Sequence, residues 1–107
     1  MKNVLWVANS RQVVQGFSKQ VRFDLGAELR RVQEGLAPKN WKPMQSIGTG
    51  VREIRVKYRG EYRLIYIAKF EEGIYALHAF RKKTRKTAQS DIDLAAQRLK
   101  EVIRQRR

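Results

Sequence analysis

The chain contains no cysteine, which excludes disulfide frameworks, thiolate zinc sites and cysteine nucleophiles together. With His78 as its one histidine, it holds no histidine-based metal centre, and the residues imply no metal and no cofactor. Long apolar runs are missing too. Nothing approaches the roughly 20 residues that span a bilayer, and the stretch from Met1 to Asn9 lacks the extended apolar core and small-residue exit of an export signal. The expectation is a cytoplasmic protein without membrane contact. Acidic residues are scarce, 10 against 24 Lys and Arg, for a formal net charge of +14. Charge so unbalanced opposes the compact state and asks for a polyanionic or acidic partner. Over 107 residues the expectation is one domain, residues 1–107, which excludes a two-site multidomain enzyme.

Val4 to Ala8, short and rich in β-branched and aromatic residues, reads as a strand closed by Asn9-Ser10. From Ser10, a candidate N-cap, the residues Val13, Val14, Phe17, Val21, Leu25, Leu29, Val32 and Leu36 recur at helical spacing. They predict a helix, continuous or broken near Phe17-Ser18, that stops at Gly35. Residues 36–50 have no period. Pro38 and Pro43 bracket Trp41 there, so a loop is expected, with Trp41 either pinning it or stacking on a base.

From Val51 to Tyr58 apolar and charged residues alternate, the two-residue period of a half-buried strand. Arg59-Gly60-Glu61 reverses the chain. Tyr62 to Ala68 is apolar apart from Arg63, the composition of a central strand covered on both sides. Glu72-Gly73 reverses it again, and Ile74 to Phe80 forms the next strand. Ser90 followed by Asp93 resembles a capping box, and Ile92, Ala95, Ala96, Leu99, Val102 and Ile103 give an apolar helix face over 91 to about 105. The fold class expected is α+β. A small antiparallel sheet, made of the N-terminal strand and a three-strand meander, carries an N-terminal helix or helix pair and a C-terminal helix, all on one face.

Residues 51–90 hold 11 basic and 4 acidic residues, half of the net charge. With one sheet face under helices, the other would present Arg55, Lys57 and Arg63, with the run from Arg81 to Lys86 at its rim, as a concave surface for a sugar-phosphate chain. The bland alternative makes those lysines edge gatekeepers and the run a solvated turn. Arg63, a guanidinium within an apolar strand, needs either a phosphate or a structural partner such as Glu53 or Glu61. His78 is either a satisfied, partly buried histidine or a proton-transfer group.

The segment Gly50-Val51-Arg52-Glu53-Ile54-Arg55-Val56-Lys57-Tyr58-Arg59-Gly60-Glu61-Tyr62-Arg63-Leu64-Ile65-Tyr66, followed by His78-Ala79-Phe80-Arg81-Lys82-Lys83-Thr84-Arg85-Lys86-Thr87, resembles the RelE/ParE superfamily of type II toxins. Within it, the phage-related HigB-like group is the nearest branch. The resemblance runs from about residue 3 to 105 and implies a RelE-like fold. It implies a toxin neutralised by a cognate antitoxin, of helix-turn-helix type and encoded by the neighbouring gene, and in many members a ribosome-dependent mRNA endonuclease that halts translation. The chemistry implied is metal-independent attack of a ribose 2′-OH on the adjacent phosphate. Like-charge crowding favours the basic form of a lysine, and fixed guanidiniums stabilise the charge that develops.

On these grounds Lys57 is the candidate base, Arg63 and Arg81 are the candidate phosphate clamps, and His78 is a candidate acid. Arg55, Lys82, Lys83, Arg85 and Lys86 would hold flanking phosphates or ribosomal RNA. Several branches carry a tyrosine, or a histidine and an acid, near the C-terminus; this chain has neither Tyr nor His after His78. The alternatives are a gyrase-directed ParE-like toxin and a non-catalytic basic RNA- or DNA-binding module. The nuclease reading requires Arg63 to face outward into an open groove that reaches the lysines at the strand exit.

Overall fold

The apolar stripe that starts at Ser10 folds as two helices. The computed structural model, which describes all 107 residues, runs β1 Val4–Trp6, α1 Ser10–Gln15, α2 Lys19–Gln33, β2 Trp41–Pro43, β3 Val51–Lys57, β4 Glu61–Ile67, β5 Ile74–Lys82 and α3 Gln89–Arg106. The break falls at Gly16-Phe17-Ser18, where Ser18 turns extended and its hydroxyl accepts a hydrogen bond from the Val21 amide, capping a fresh helix. Ser10 is not the cap of α1. It is the first helical residue, fully buried, and its hydroxyl donates to the Ala76 carbonyl at 2.9 Å, fastening α1 to β5. Helix α2 ends as expected: Gly35 takes φ +84, and the Leu36 amide reaches back to the Arg31 carbonyl, which satisfies an otherwise orphaned acceptor.

The strands form one five-stranded sheet in the order β1-β5-β4-β3-β2. β1 pairs parallel with β5, and the other pairs are antiparallel. β2 corrects the expectation of a plain loop over residues 36–50. Three residues are too few to show a period, and Pro43 is tolerated because β2 is an edge strand with β3 as its only neighbour.

Helices cover both faces of the sheet, not one. Val21, Leu25, Leu29 and Val32 of α2 pack on Ile54, Val56, Leu64, Tyr66 and Ala79. Ala95, Leu99 and Val102 of α3 pack on Val51, Ile65, Ile67, Leu77 and Phe80. Alternate residues of β3 and β4 thus serve opposite cores. Each fully buried Leu or Ile contributes roughly 1.5–3 kcal/mol, so neither layer is dispensable in so small a domain. The capping box of Ser90 and Asp93 does not form either: the N-cap is Ala88, without a side-chain cap, and Asp93 accepts from the Gln89 side chain at 2.8 Å.

The β4–β5 register slips once, so that Ile65 faces His78 while Tyr66 faces Ala76. A bulge of this kind inverts the phase of everything beyond it. His78 and Phe80 therefore join Leu77 on the α3 face, while Ala79 and Arg81 turn to the α2 face.

Candidate nucleic-acid interface

On the α3 face the paired strands build rows across the sheet. Lys57, Glu61 and Lys82 form the outermost row; Arg55, Arg63 and Phe80 form the next; Glu53, Ile65 and His78 form the third; the apolar floor beneath α3 follows. Helix α3 thus covers the apolar half and leaves the polar half to the segment between β5 and α3. That segment leaves β5 at Lys82 and carries Lys83, Arg85 and Lys86 exposed. It then reaches across to β3, where the Thr87 hydroxyl donates to Glu53 Oε2 at 3.0 Å. It returns at Asp91, whose Oδ1 accepts from His78 Nε2 at 2.7 Å. Because a carboxylate only accepts, Nε2 is the donor in this bond. Nδ1 is buried without a partner.

Under this crossing lies an ion cluster. Glu53 is fully buried, and its Oε1 lies 3.4 Å from Arg63 Nε and 3.5 Å from Arg55 Nε. Arg63, 3% exposed, also gives its terminal nitrogens to Glu61 Oε1 at 3.0 Å and to the Tyr62 carbonyl at 3.2 Å. The Arg63 hydrogen bond is the largest cause holding the Glu61 carboxyl below its ordinary range, and the charges of Lys82 and Lys57 add to it.

The sequence candidates therefore separate. Arg63 does not face an open hollow: two carboxylates hold it beneath the β5–α3 segment, which leaves it no free face for a phosphate. The outward guanidinium that the nuclease reading required is absent, which overturns that reading as stated; only a revised form that rests on Lys57 and Arg55, without Arg63, is left. Arg81 does not join Lys57. The bulge sends it to the other face, where its guanidinium stands 5.7 Å from the Tyr62 ring centroid and donates to the Arg59 carbonyl. His78 is on the right face but is 7% exposed, stacked on Phe80 and held by Asp91. Lys57 is exposed, although Glu61 stands between it and Lys82, so a carboxylate interrupts the like-charge crowding expected around it.

Arg59 at the turn and Arg81 on the other face are exposed, and on the α3 face of this end the exposed cations are Lys57, Lys83, Arg85 and Lys86, with Arg55 and Lys82 half-buried beside them. They make a convergent rim instead of a concave floor. Trp41 is already engaged, with the Arg52 guanidinium 4.1 Å above its ring. Asp91 and Thr87, which organise the site, carried no signal in sequence spacing, since their partners lie 13 and 34 residues away.

A sheet sandwiched by helices, with a polar face-end roofed by a cationic segment, defines a small α+β domain with one strongly basic end. No group of three or more acidic and histidine side chains gathers as a metal site. Residues 12–100 match the family model described as phage derived protein Gp49-like (DUF891), and the chain belongs to that family, a toxin-like family related to RelE. No curated protein matches the chain. No helix is long and apolar enough to cross a membrane.

Proposed function

We propose that this Gp49-like protein is the toxin of a type II toxin-antitoxin pair, of the HigB-like kind, and that it acts on messenger RNA at the ribosome. The observation that carries the reading is the gathering of Arg55, Lys57, Lys82, Lys83, Arg85 and Lys86 around one end of the sheet and the segment that crosses it. Each lysine or arginine seated on a phosphate releases condensed counterions, which makes such a rim a backbone-binding surface.

In this reading solvent takes the proton of a ribose 2′-OH as the oxygen attacks the adjacent phosphorus, and the exposed Lys57 side chain seats the phosphate. The bond to the 5′-oxygen breaks, solvent protonates that oxygen, and a 2′,3′-cyclic phosphate remains. Arg55, whose side chain is one-third exposed, stabilises the charge on the phosphoryl oxygens. Arg63 contributes by fixing Glu53 and hence the positions of Arg55 and Thr87. A cognate helix-turn-helix antitoxin with an acidic segment would neutralise the protein by covering the rim.

The pairing of Arg63 and the burial of His78 favour one second reading, a toxin of the same fold that binds gyrase and cuts nothing itself. Ribosomes programmed with mRNA and incubated with purified protein separate the two. The first reading expects cleavage at the decoding site, slowed roughly a hundredfold by Lys57→Ala, as for loss of one group that stabilises developing charge, and strongly by Arg55→Ala. Normal cleavage by both variants would remove the catalytic assignment. Intact mRNA, with gyrase-dependent DNA cleavage complexes, would establish the second reading.

A further inference from the structure

The other end of the molecule, on the α2 side, holds a cavity of about 950 Å³ between the C-terminal end of α2, the residues before β1, and the sheet. Val32 and Leu36 give it an apolar wall, and Arg52 and Tyr66 enter it from β3 and β4. Its charged lining is balanced, with Lys2, Arg52 and Lys69 against Glu34, Glu71 and Glu72. On a protein of net charge +14, a neutral cavity is not an extension of the polyanion surface.

Tyr66 is the unusual member. It is 1% exposed, and its hydroxyl has no hydrogen-bond partner, a state that buried phenols seldom keep. Burial is the main cause pushing its pKa up, opposed by hydrogen bonding from the Arg52 side chain and by its charge, so the guanidinium lies close to the hydroxyl although no bond of good geometry joins them. The hydroxyl therefore remains a proton donor beside a guanidinium.

We propose that this cavity binds an organic carboxylate with an apolar body: Arg52 and the Tyr66 hydroxyl take the carboxylate, and Val32 and Leu36 take the body. A dianionic phosphate is disfavoured by the three glutamates at the lining, whereas a single negative charge balances the exposed side of Arg52. The volume suits a ligand of small-molecule size. The site is independent of the toxin reading, since none of its residues belongs to the cationic rim.

The test is an amide-resonance titration of the whole protein with 4-phenylbutyrate and, separately, with the neutral 4-phenylbutyramide. The acid is expected to shift resonances around Tyr66, Arg52, Val32 and Leu36. Tyr66→Phe, which keeps the ring and the core packing, should weaken binding roughly tenfold, as loss of a hydrogen bond to a charged group does. Arg22→Ala, which removes an exposed charge from α2 outside the cavity, should leave binding unchanged. Equal binding of the amide, shifts confined to the cationic rim, no response to the acid, or full affinity in Tyr66→Phe would each overturn the proposal.

Discussion

Removing the Arg63 side chain strands Glu53, a carboxylate with no exposed surface, in a site built for two guanidiniums. Breaking one side of a buried pair is much more damaging than replacing the whole pair with apolar groups. Arg63→Ala should therefore destabilise the protein by about 3–5 kcal/mol, whereas Glu53→Leu with Arg63→Met should recover much of the loss. Urea denaturation of the two singles and the double measures the coupling; a stable Arg63→Ala protein would show that the cluster is not structural. In sequence, Arg63 is legible as a residue that needs a partner, and both carboxylates that it uses, Glu53 and Glu61, lie close to it in the chain. What spacing cannot supply is the choice between a carboxylate and a phosphate, because that depends on which segment roofs the strand.

Among elements, β5 shows where pattern reading fails and why. Its apolar composition marks a strand, but the bulge opposite Ile65 and Tyr66 inverts the alternation, so Arg81 lies on the opposite face from the one a regular ladder would give. The alternation of β3 and the stripe of α2 survive intact because no irregularity interrupts them. The two-sided apolar composition of β4 already marks a strand buried on both faces, and it is a truer guide than the expectation that all helices share one face. Short β2 has too little length to signal anything. Gly73→Ala would place a Cβ 2.7 Å from the Asn3 carbonyl oxygen, so the β1–β5 pairing should loosen, read as faster hydrogen exchange at Ile74, whose amide bonds to that same oxygen. Thr87→Val removes the hydroxyl that anchors the β5–α3 segment to Glu53, and should cost roughly 1.5–3 kcal/mol, as for a hydrogen bond to a charged group. Exchange at residues 83–88 should rise with it, while α2 stays protected; unchanged exchange would mean the segment is held in other ways.

At the scale of the whole molecule, two ends respond to solution conditions differently. Glu72 accepts from Arg106 and from the Tyr75 hydroxyl, tying the end of α3 to the β4–β5 turn. The Arg106 hydrogen bond is the main cause lowering its carboxyl from 4.5 to about 2. A depressed carboxyl stabilises fully above its unfolded value and loses that contribution as pH falls through its folded value. The tether should thus hold above about pH 4.5 and release towards pH 2. Fraying of the α3 C-terminus, followed by amide resonances, should track that window in wild type and be present at neutral pH in Glu72→Gln. Net charge and its concentration in residues 51–90 are plain in the sequence, whereas the roofing of the sheet by both helix layers is a property of the tertiary arrangement alone.

The claim that the rim, and not charge in general, holds RNA is tested most directly by the salt dependence of single-stranded RNA binding. Lys57→Ala, Lys83→Ala and Lys86→Ala combined should be compared with an equal reduction of charge on α2, Lys19→Ala, Arg22→Ala and Arg30→Ala. The rim variant is expected to flatten the slope of log K against log salt by about 2, at roughly 0.7 for each phosphate no longer neutralised, while the α2 variant keeps the wild-type slope. Equal changes in both variants, or no change in the rim variant, would contradict the assignment of the sheet end as the nucleic-acid interface.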